Sequence, residues 1–203
     1  MSFILLIEGG TSSGKSTLAD YLSLNLRSRS TVSLLKQDNY YKDLSCLTGK
    51  EIESYNFDSP CAIDLLQFAD DLKKLADGTR IKKRIYSFKN HCSHISDEWI
   101  EPAEIVIGEG LFVFNVEIDN AVRIFIDIDD DIRFIRRMQR DMVERAIPYQ
   151  KTIEHYLHTV KPMHEKYIKP SKKDADILLS DSGESTIEEI AGNLIYKLKG
   201  YIG

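Results

Sequence analysis

The most specific chemical motif in this chain is a glycine-rich loop near its start. Gly9, Gly14, Lys15 and Ser16 fit the pattern G-x-x-x-x-G-K-[S/T], which is typical of loops that bind nucleotide phosphates. The glycines let backbone N–H groups turn inward around phosphate oxygens, and the following helix directs its positive end at the same anion. Lys15 can reach the β- and γ-phosphates, and Ser16 can ligate magnesium. The residues predicted to contact the nucleotide are Gly9, Gly10, Thr11, Ser12, Ser13, Gly14, Lys15, Ser16 and Thr17.

Two carboxylates follow predicted strands and could take part in the same chemistry. Asp38 comes after the strand predicted at 31–36, at the sheet edge where open α/β folds bind ligands. It could equally cap a turn. Glu109 ends the buried strand predicted at 104–110, where an acidic residue can hold magnesium or one of its waters.

A third carboxylate and two histidines leave more than one interpretation open. Asp58 stands just before a helix start predicted at Ser59 and Pro60, and it could simply cap that helix. His91 and His94 lie in a polar loop between two predicted strands. No third metal ligand is near them in sequence, so a metal pair is only weakly indicated.

An arginine-rich helix is predicted at 129–145. One side of it can carry apolar residues, namely Ile132, Ile135, Met138 and Met142. The adjacent arc carries Arg133, Arg136, Arg137 and Arg140, with Arg145 beyond it. These arginines could form a solvated face with i,i+4 ion pairs, or a lid whose guanidinium groups neutralise charge on a transferring phosphate. The upstream phosphate loop favours the lid.

The elements that must position these residues alternate between strands and helices. Core strands are predicted at 3–7, 31–36, 104–110, 122–128 and 176–179, and a β-hairpin at 80–88 and 93–100. Helices are predicted at 15–27, from 59 to a stop signal at 77–78, and at 129–145, 151–168 and 185–198. This order predicts an α/β fold with a parallel sheet and right-handed crossovers.

Composition limits the class of protein. The 203 residues suffice for one domain, 1–203, and contain no apolar stretch long enough for a membrane span. A formal net charge of -5 argues against broad nucleic-acid binding. Three cysteines without a metal-binding or paired spacing suit a reducing compartment. We therefore expect a cytoplasmic protein.

Taken together, these segments resemble the uridine kinase family of phosphate-loop nucleoside kinases. The resemblance covers nearly the whole chain and rests on GGTSSGKST, KQDNYYKDL, YNFDSPCAIDLL, RIYSFKNH, EIVIGEGLFVF, IFIDIDDDIRFIRRMQRDMVER and VKPMHEKYIKPSKKDADILL, in that order. The Gln-Asp-x-Tyr-Tyr, Asn-Phe-Asp-x-Pro and Arg-Arg-x-x-Arg-Asp stretches are more specific to this family than the phosphate loop.

The resemblance implies a fold and an activity. The fold would be a P-loop kinase domain with a five-stranded parallel sheet, a β-hairpin over the acceptor site at 80–100 and a helical lid region at 129–168. The activity would be ATP- and Mg²⁺-dependent phosphorylation of the 5′-hydroxyl of a ribonucleoside, uridine or cytidine. Such proteins often form homotetramers, so oligomerisation is plausible here; neither a nucleic acid nor a membrane is expected as a partner.

The resemblance also implies residue roles. Asp38 would accept the proton of the ribose 5′-hydroxyl, and Asp58 would hold the 2′- and 3′-hydroxyls. The nucleobase would contact Tyr86 and His91. Magnesium would be ordered by Ser16, Glu109 and Asp38. The phosphate-contacting residues would be Lys15 and the lid arginines Arg137, Arg140 and Arg145.

The sequence departs from the family where the acceptor base is read. The family's Glu-Arg-Gly-Arg run is Glu144-Arg145-Ala146-Ile147 here, and a glutamine found slightly later is His155. In the hairpin, Ser87 stands where the family has an aspartate, and Ser93 where it has an arginine. Residues 59–61 read Ser-Pro-Cys, where the family has His-Pro-Asp. Because a site built to hydrogen-bond one base discriminates through those groups, phosphoryl transfer from ATP is better supported than uridine as acceptor.

Two alternatives therefore remain at the level of sequence. One is a kinase of another polyol metabolite, such as nicotinamide riboside or a sugar phosphate. A sugar phosphate would need extra cations, for which Lys82, Lys83 and Arg84 are candidates, although a solvated strand face explains them better. The other is a nucleotide-binding regulator without turnover. The retention of Lys15, Ser16, Asp38 and Glu109 argues against it.

Overall fold

A central five-stranded parallel sheet organises the structure. The computed structural model describes residues 2–28, 30–181 and 185–198, and the other positions of the predicted domain 1–203 lie outside the described residues. In sheet order the strands are β2 (Val32–Lys36), β5 (Ile105–Gly110), β1 (Phe3–Gly9), β6 (Ala121–Ile128) and β7 (Ile177–Asp181). All neighbouring pairs are parallel, as the sequence predicts. The predicted hairpin is present as β3 (Ile81–Ser87) and β4 (Cys92–Ile100).

Helices connect the strands. They are α1 (Lys15–Leu26), α2 (Gly49–Glu53), α3 (Leu65–Ala76), α4 (Asp130–Glu144), α5 (Tyr149–His155), α6 (Lys161–Met163), α7 (Lys169–Ser171) and α8 (Ile187–Leu198). Short 3₁₀ turns occur at Gln37–Tyr40, Pro60–Ala62, Val113–Asn115 and Lys172–Asp174. Within the described ranges, no helix combines the length and the apolar character needed to cross a membrane.

Strand β1 separates two hydrophobic clusters. Alternate side chains of a strand point to opposite faces, so Ile4 and Leu6 join the cluster that includes Phe68 of α3. Leu5 and Ile7 join the cluster built with α1 and α8. Burial on both faces explains why this strand reads as a continuous apolar run, and the phosphate loop follows at its end.

The predicted start of α3 is wrong. Ser59 and Pro60 do begin a helical turn, but it is the 3₁₀ turn Pro60–Ala62, in which the Ser59 hydroxyl accepts from the Cys61 N–H. The α-helix begins later, at Leu65, and its cap is Asp64, whose carboxylate accepts from the Gln67 N–H. A side chain that satisfies a free N–H at the first turn is what starts a helix, and Asp64 does this here.

Helix α4 buries charged residues. Its buried residues are Arg133, Arg137 and Asp141, whereas Ile135 and Met142 on the predicted apolar side are exposed. The inward face is charged because this helix packs against polar atoms of the phosphate loop, including the carbonyl and hydroxyl of Thr11. A buried charged face is stable only when its groups are paired, and each of these three is.

The helical region predicted at 151–168 is longer and irregular. It runs from Tyr149 to Ser171 and contains two π-helical segments, Tyr156–Val160 and His164–Ile168. Each π segment ends shortly before a proline, Pro162 or Pro170. Proline removes one backbone N–H and crowds the preceding turn, and a wider turn accommodates both effects.

Candidate active site

The phosphate loop has the geometry that its glycines predict. Gly14, at φ 91°, adopts a left-handed conformation and leads directly into α1, so the loop ends at a helix N-terminus. A Cβ at Gly9 would lie 2.7 Å from the Ile126 carbonyl oxygen, and one at Gly10 would lie 2.4 Å from the Arg133 guanidinium. Neighbouring groups therefore leave no room for a side chain at either glycine.

Several polar groups of this loop lack protein partners. The buried hydroxyls of Ser12 and Ser13 have no hydrogen-bond partner within the described part of the chain. Burial lowers the pKa of Lys15, while the nearby carboxylates of Glu109 and Asp38 act to raise it. Buried polar groups are normally satisfied, so these unpaired donors fit an anionic ligand such as a phosphate chain.

Ser16 and Glu109 meet at one edge of the sheet. The Ser16 hydroxyl lies 3.1 and 3.0 Å from the two carboxylate oxygens of Glu109. Burial raises the pKa of Glu109 to about 7, against the lowering effect of Lys15. No cluster of three or more His, Cys, Asp or Glu suited to a metal occurs among the described residues. A hydroxyl plus one carboxylate fits Mg²⁺, which keeps several waters and uses phosphate oxygens as further ligands.

Asp38 is held on a rigid turn beside the phosphate loop. It belongs to the 3₁₀ turn Gln37–Tyr40 at the end of β2 and lines the same cavity as Lys15. The Tyr40 hydroxyl donates to Asp71 at 2.9 Å, and Arg84 Nε lies 3.2 Å from the same carboxylate. These buried contacts tie the turn to α3 and to the hairpin, which positions Asp38 toward the cavity.

Two cavities meet at the phosphate loop. The first, of about 480 Å³, is lined by Ser12, Ser13, Gly14, Lys15, Ser16 and Thr17 together with parts of α4 and α8. The second, of about 830 Å³, extends from Thr11 and Lys15 past Asp38 to the hairpin. Lys15, Ser16, Arg140 and Glu144 line both. A site with two compartments joined at a Lys, a Ser and an Arg suits transfer of a phosphoryl group between two bound molecules.

The far wall of the second cavity is aromatic. Tyr41, Phe57, Phe88 and His91 line it, and the His91 ring packs on Phe57 with centroids 5.2 Å apart. Tyr86 does not line the cavity, but its ring lies 5.3 Å from that of Tyr41. The Tyr86 hydroxyl and the His91 Nδ1 atom are buried and have no partner among the described residues. Stacking surfaces with unpaired polar atoms suit a planar, hydrogen-bonding ring.

Asp58 lies inside this cavity and does not cap α3. Its Oδ1 atom is 3.8 Å from Arg137 Nη1, and its Oδ2 atom is 3.6 Å from His155 Nε2. Both partners come from the region that follows β6, so sequence spacing could not have indicated them. The cavity therefore contains a carboxylate flanked by two nitrogen donors.

The lid arginines divide into two groups. Arg137 donates from Nη1 to the Thr11 hydroxyl at 3.0 Å, and Arg133, only 2% exposed, contacts the Thr11 carbonyl at 3.5 Å. Arg140 and Arg145 lie 3.2 and 3.3 Å from the buried carboxylate of Asp141. Sequence reasoning named Arg133 among the possible lid arginines but missed Asp141, whose carboxylate pairs with Arg137 and Arg140.

Other predicted features lie elsewhere. Gly9 and Gly10 line neither of the two cavities, and His94 is exposed on β4. Lys83 pairs with Glu98 at 2.6 Å and Lys82 lies 3.8 Å from Asp97. This pairing supports the interpretation of these lysines as a solvated strand face.

Comparison with known proteins identifies the family. A family model described as phosphoribulokinase / uridine kinase matches residues 4–188. The chain belongs to this family. Uridine kinases from Clostridium novyi and Ligilactobacillus salivarius are 38% and 39% identical to it, over 89% and 91% of this chain and 88% and 87% of theirs. Membership in this family implies use of a nucleotide and a divalent metal ion.

Solved structures show the same fold at low sequence identity. Shikimate kinase from Bacteroides thetaiotaomicron matches with a TM-score of 0.54 at 16% identity, covering 97% of this chain and 98% of that one. D-glycerate 3-kinase from Cryptococcus neoformans matches with a TM-score of 0.57 at 17% identity, covering 81% and 78%. These likenesses establish a P-loop kinase fold for this chain.

Proposed function

We propose that this protein transfers the γ-phosphoryl group of ATP to the 5′-hydroxyl of a ribonucleoside, with uridine and cytidine as acceptors. The observation that carries the proposal is the junction of two cavities at Lys15, Ser16 and Arg140. Similarity to uridine kinases over most of both chains supports the acceptor class. The products are UMP or CMP and ADP.

Asp38 acts as the general base in this proposal. It lies in the acceptor cavity that also contains Lys15, at the side where the reacting hydroxyl must approach the phosphate loop. The hydroxyl proton passes to the Asp38 carboxylate as the oxygen bonds to the γ-phosphorus. The bond between that phosphorus and the oxygen bridging to the β-phosphate breaks, and ADP leaves.

Positive side chains stabilise the charge that spreads over the transferring group. Lys15 and Arg140 line both cavities and can contact the phosphoryl oxygens on either side of the transfer. Ser16 and Glu109, whose side chains are in contact, would hold Mg²⁺, which would add to the charge neutralisation of the phosphates. Arg137 lies deeper, between Thr11 and Asp58, and connects the phosphate loop to the acceptor cavity.

The acceptor is oriented by Asp58 and by the aromatic wall. A carboxylate accepts hydrogen bonds from two vicinal hydroxyls, which suits the ribose 2′- and 3′-positions. The nucleobase stacks beside Phe57 and His91, and the unpaired His91 Nδ1 supplies a polar contact. Holding the sugar at one end and the base at the other aligns the 5′-hydroxyl with Asp38.

A steady-state assay tests this function. ADP release would be measured with ATP and Mg²⁺ against uridine, cytidine, adenosine, guanosine, nicotinamide riboside and ribulose 5-phosphate, with a control lacking acceptor. We expect turnover that depends on uridine and cytidine. Turnover with only a different acceptor would retain the kinase chemistry and contradict the pyrimidine assignment, whereas no acceptor-dependent turnover would contradict the kinase assignment.

A further inference from the structure

A buried arginine supports the phosphate loop from outside the ligand cavities. Arg133 is only 2% exposed, and its guanidinium lies so close to Gly10 that an added Cβ there would come within 2.4 Å of Nη1. The same Nη1 atom faces the Thr11 carbonyl oxygen at 3.5 Å. Arg133 lines neither of the two cavities that meet at the loop. Its contacts are therefore with the loop itself.

Three groups fix the orientation of this guanidinium. Its Nε atom donates to the Ile128 carbonyl at 3.1 Å, and its Nη2 atom contacts both Asp130 and His164 Nε2, the latter at 3.1 Å. The side chain of Asp130 is 55% exposed, whereas that of His164 is 11% exposed. An ion pair with an exposed carboxylate is screened by solvent and contributes little. His164 is thus the buried partner that holds Nη2.

His164 can act only as an acceptor toward Arg133. A guanidinium has no acceptor atom, so Nε2 of His164 accepts and the ring proton lies on Nδ1. Burial lowers the pKa of His164 to about 4, and the charge of Arg133 adds to this effect, so the ring is neutral at neutral pH. The Nδ1 atom is buried and has no partner in the described part of the chain. A phenylalanine would fill the same space without an unpaired N–H, so packing alone does not account for a histidine here.

Helix α4 holds the phosphate loop at Thr11. Arg133 faces the carbonyl of this residue, and Arg137 donates to its hydroxyl at 3.0 Å. The preceding carbonyl, that of Gly10, accepts from the Ser13 N–H at 3.2 Å and closes a turn of the loop. Backbone N–H groups must converge on an anion to bind it, so movement of Arg133 away from this turn would weaken phosphate binding.

We propose that His164 is a positioning residue for phosphate binding. By accepting from Nη2 it keeps Arg133 against Gly10 and Thr11, and the loop keeps the shape that receives the nucleotide phosphates. His164 lines neither of the two cavities at the loop, so it acts through Arg133 and not on a ligand. This inference rests on the proposed use of ATP as phosphoryl donor.

Nucleotide affinity provides the test. Calorimetry of MgADP binding would give Kd and the number of competent sites for the wild type, His164→Phe, His164→Gln and His158→Phe. His158 is exposed in the same helical region and is the matched control. A hydrogen bond to a charged group is lost in His164→Phe, so we expect Kd to rise roughly 5- to 50-fold. His164→Gln, whose amide oxygen can accept from Arg133, should recover most of this loss, and His158→Phe should match the wild type.

The same titrations separate positioning from folding. A residue needed only for folding would change the thermal midpoint and the number of competent sites but leave Kd at the wild-type value, and that result would overturn the inference. Equal increases in Kd for His164→Phe and His164→Gln would overturn it as well. A cavity of about 330 Å³ beside His164 leaves space for a phenylalanine ring. If His164→Phe nevertheless fails to fold, His164→Leu takes its place in the comparison.

A double variant tests whether His164 acts through Arg133. In an Arg133→Met background, His164→Phe should raise the Kd for MgADP little further, because the group that it positions is gone. A second full increase would show that His164 acts by another route.

Failure of the proposed function would be seen separately. A wild type that binds MgADP but phosphorylates no acceptor would contradict the proposed function, while the Kd comparison would still decide the role of His164. A wild type that does not bind MgADP would contradict both.

Discussion

The Ser16 hydroxyl contacts both carboxylate oxygens of Glu109, at 3.1 and 3.0 Å, although 93 residues separate them. Parallel pairing of β1 with β5 brings the start of α1 and the end of β5 to the same sheet edge. The pair combines a hydroxyl with a carboxylate, and the positive charge of Lys15 acts to lower the pKa of that carboxylate. We interpret it as the protein's contribution to the metal site.

Replacing this carboxylate should therefore weaken use of the metal. Glu109→Gln removes the charge but keeps the side-chain shape, and we expect kcat to fall roughly 100- to 1,000-fold with a higher Mg²⁺ requirement. ADP release over a Mg²⁺ titration measures both. Glu117→Gln, at an exposed position, is the control. An unchanged Mg²⁺ dependence in Glu109→Gln would exclude Glu109 from the metal site.

Asp38 should be needed for chemistry and not for nucleotide binding. Because Asp38→Asn cannot accept the hydroxyl proton, we expect kcat to fall by about 100- to 10,000-fold. ATP affinity, measured by calorimetry, should stay near that of the wild type because the phosphate loop is unaltered. Asp119→Asn, at an exposed position before β6, serves as the control. Full activity in Asp38→Asn would show that the base lies elsewhere.

Glu8 should make stability depend on pH. This residue is fully buried at the end of β1, where it accepts from the Phe114 N–H at 2.7 Å and from the Ser171 hydroxyl. Burial raises its pKa to about 7 despite these hydrogen bonds. A carboxyl whose pKa rises on folding contributes stability that is fully present below its unfolded pKa and is lost as pH rises through 7.

Glu8→Gln should remove that dependence. An amide can accept from Phe114 and donate to Ser171 without ionising, so the variant should lose less stability than the wild type between pH 5 and pH 8. The difference corresponds to about 3 kcal/mol in the free energy of unfolding. Urea unfolding at the two pH values measures it. Parallel pH profiles for wild type and variant would show that Glu8 does not titrate in this range.

Ala146 should be a point of backbone strain. It has φ 53° at the turn between α4 and α5, a conformation that costs a residue with a Cβ about 1 kcal/mol or more. Ala146→Gly should therefore raise the midpoint of thermal unfolding by a few degrees. Ala69→Gly, inside α3, should lower it, because glycine is unfavourable in a helix interior. A lower midpoint in Ala146→Gly would indicate that the turn is not strained.

The predictions from sequence that hold are those that depend on near neighbours along the chain. The phosphate loop is specified by residues 9–16, and the strand before it and the helix after it are adjacent in sequence. Asp38 and Glu109 reach the loop because each follows a strand of one parallel sheet, and the carboxyl ends of such strands share an edge. The family resemblance, later supported by comparison, rests on the same ordered motifs.

Only the tertiary structure decided the orientation of α4 and the partners of Asp58. Spacing in the sequence left open whether the arginines form a solvated face or a lid, whereas in the structure Arg133 and Arg137 face inward onto polar atoms of the phosphate loop. Asp64, six residues further along the chain, caps α3, and this excludes the alternative in which Asp58 caps that helix. His155 and Asp58 lie 97 positions apart in the sequence. They come together because packing places the two segments that carry them side by side. Local sequence thus determined the phosphate loop, whereas long-range packing determined the acceptor cavity, since its walls come from segments that no sequence spacing connects.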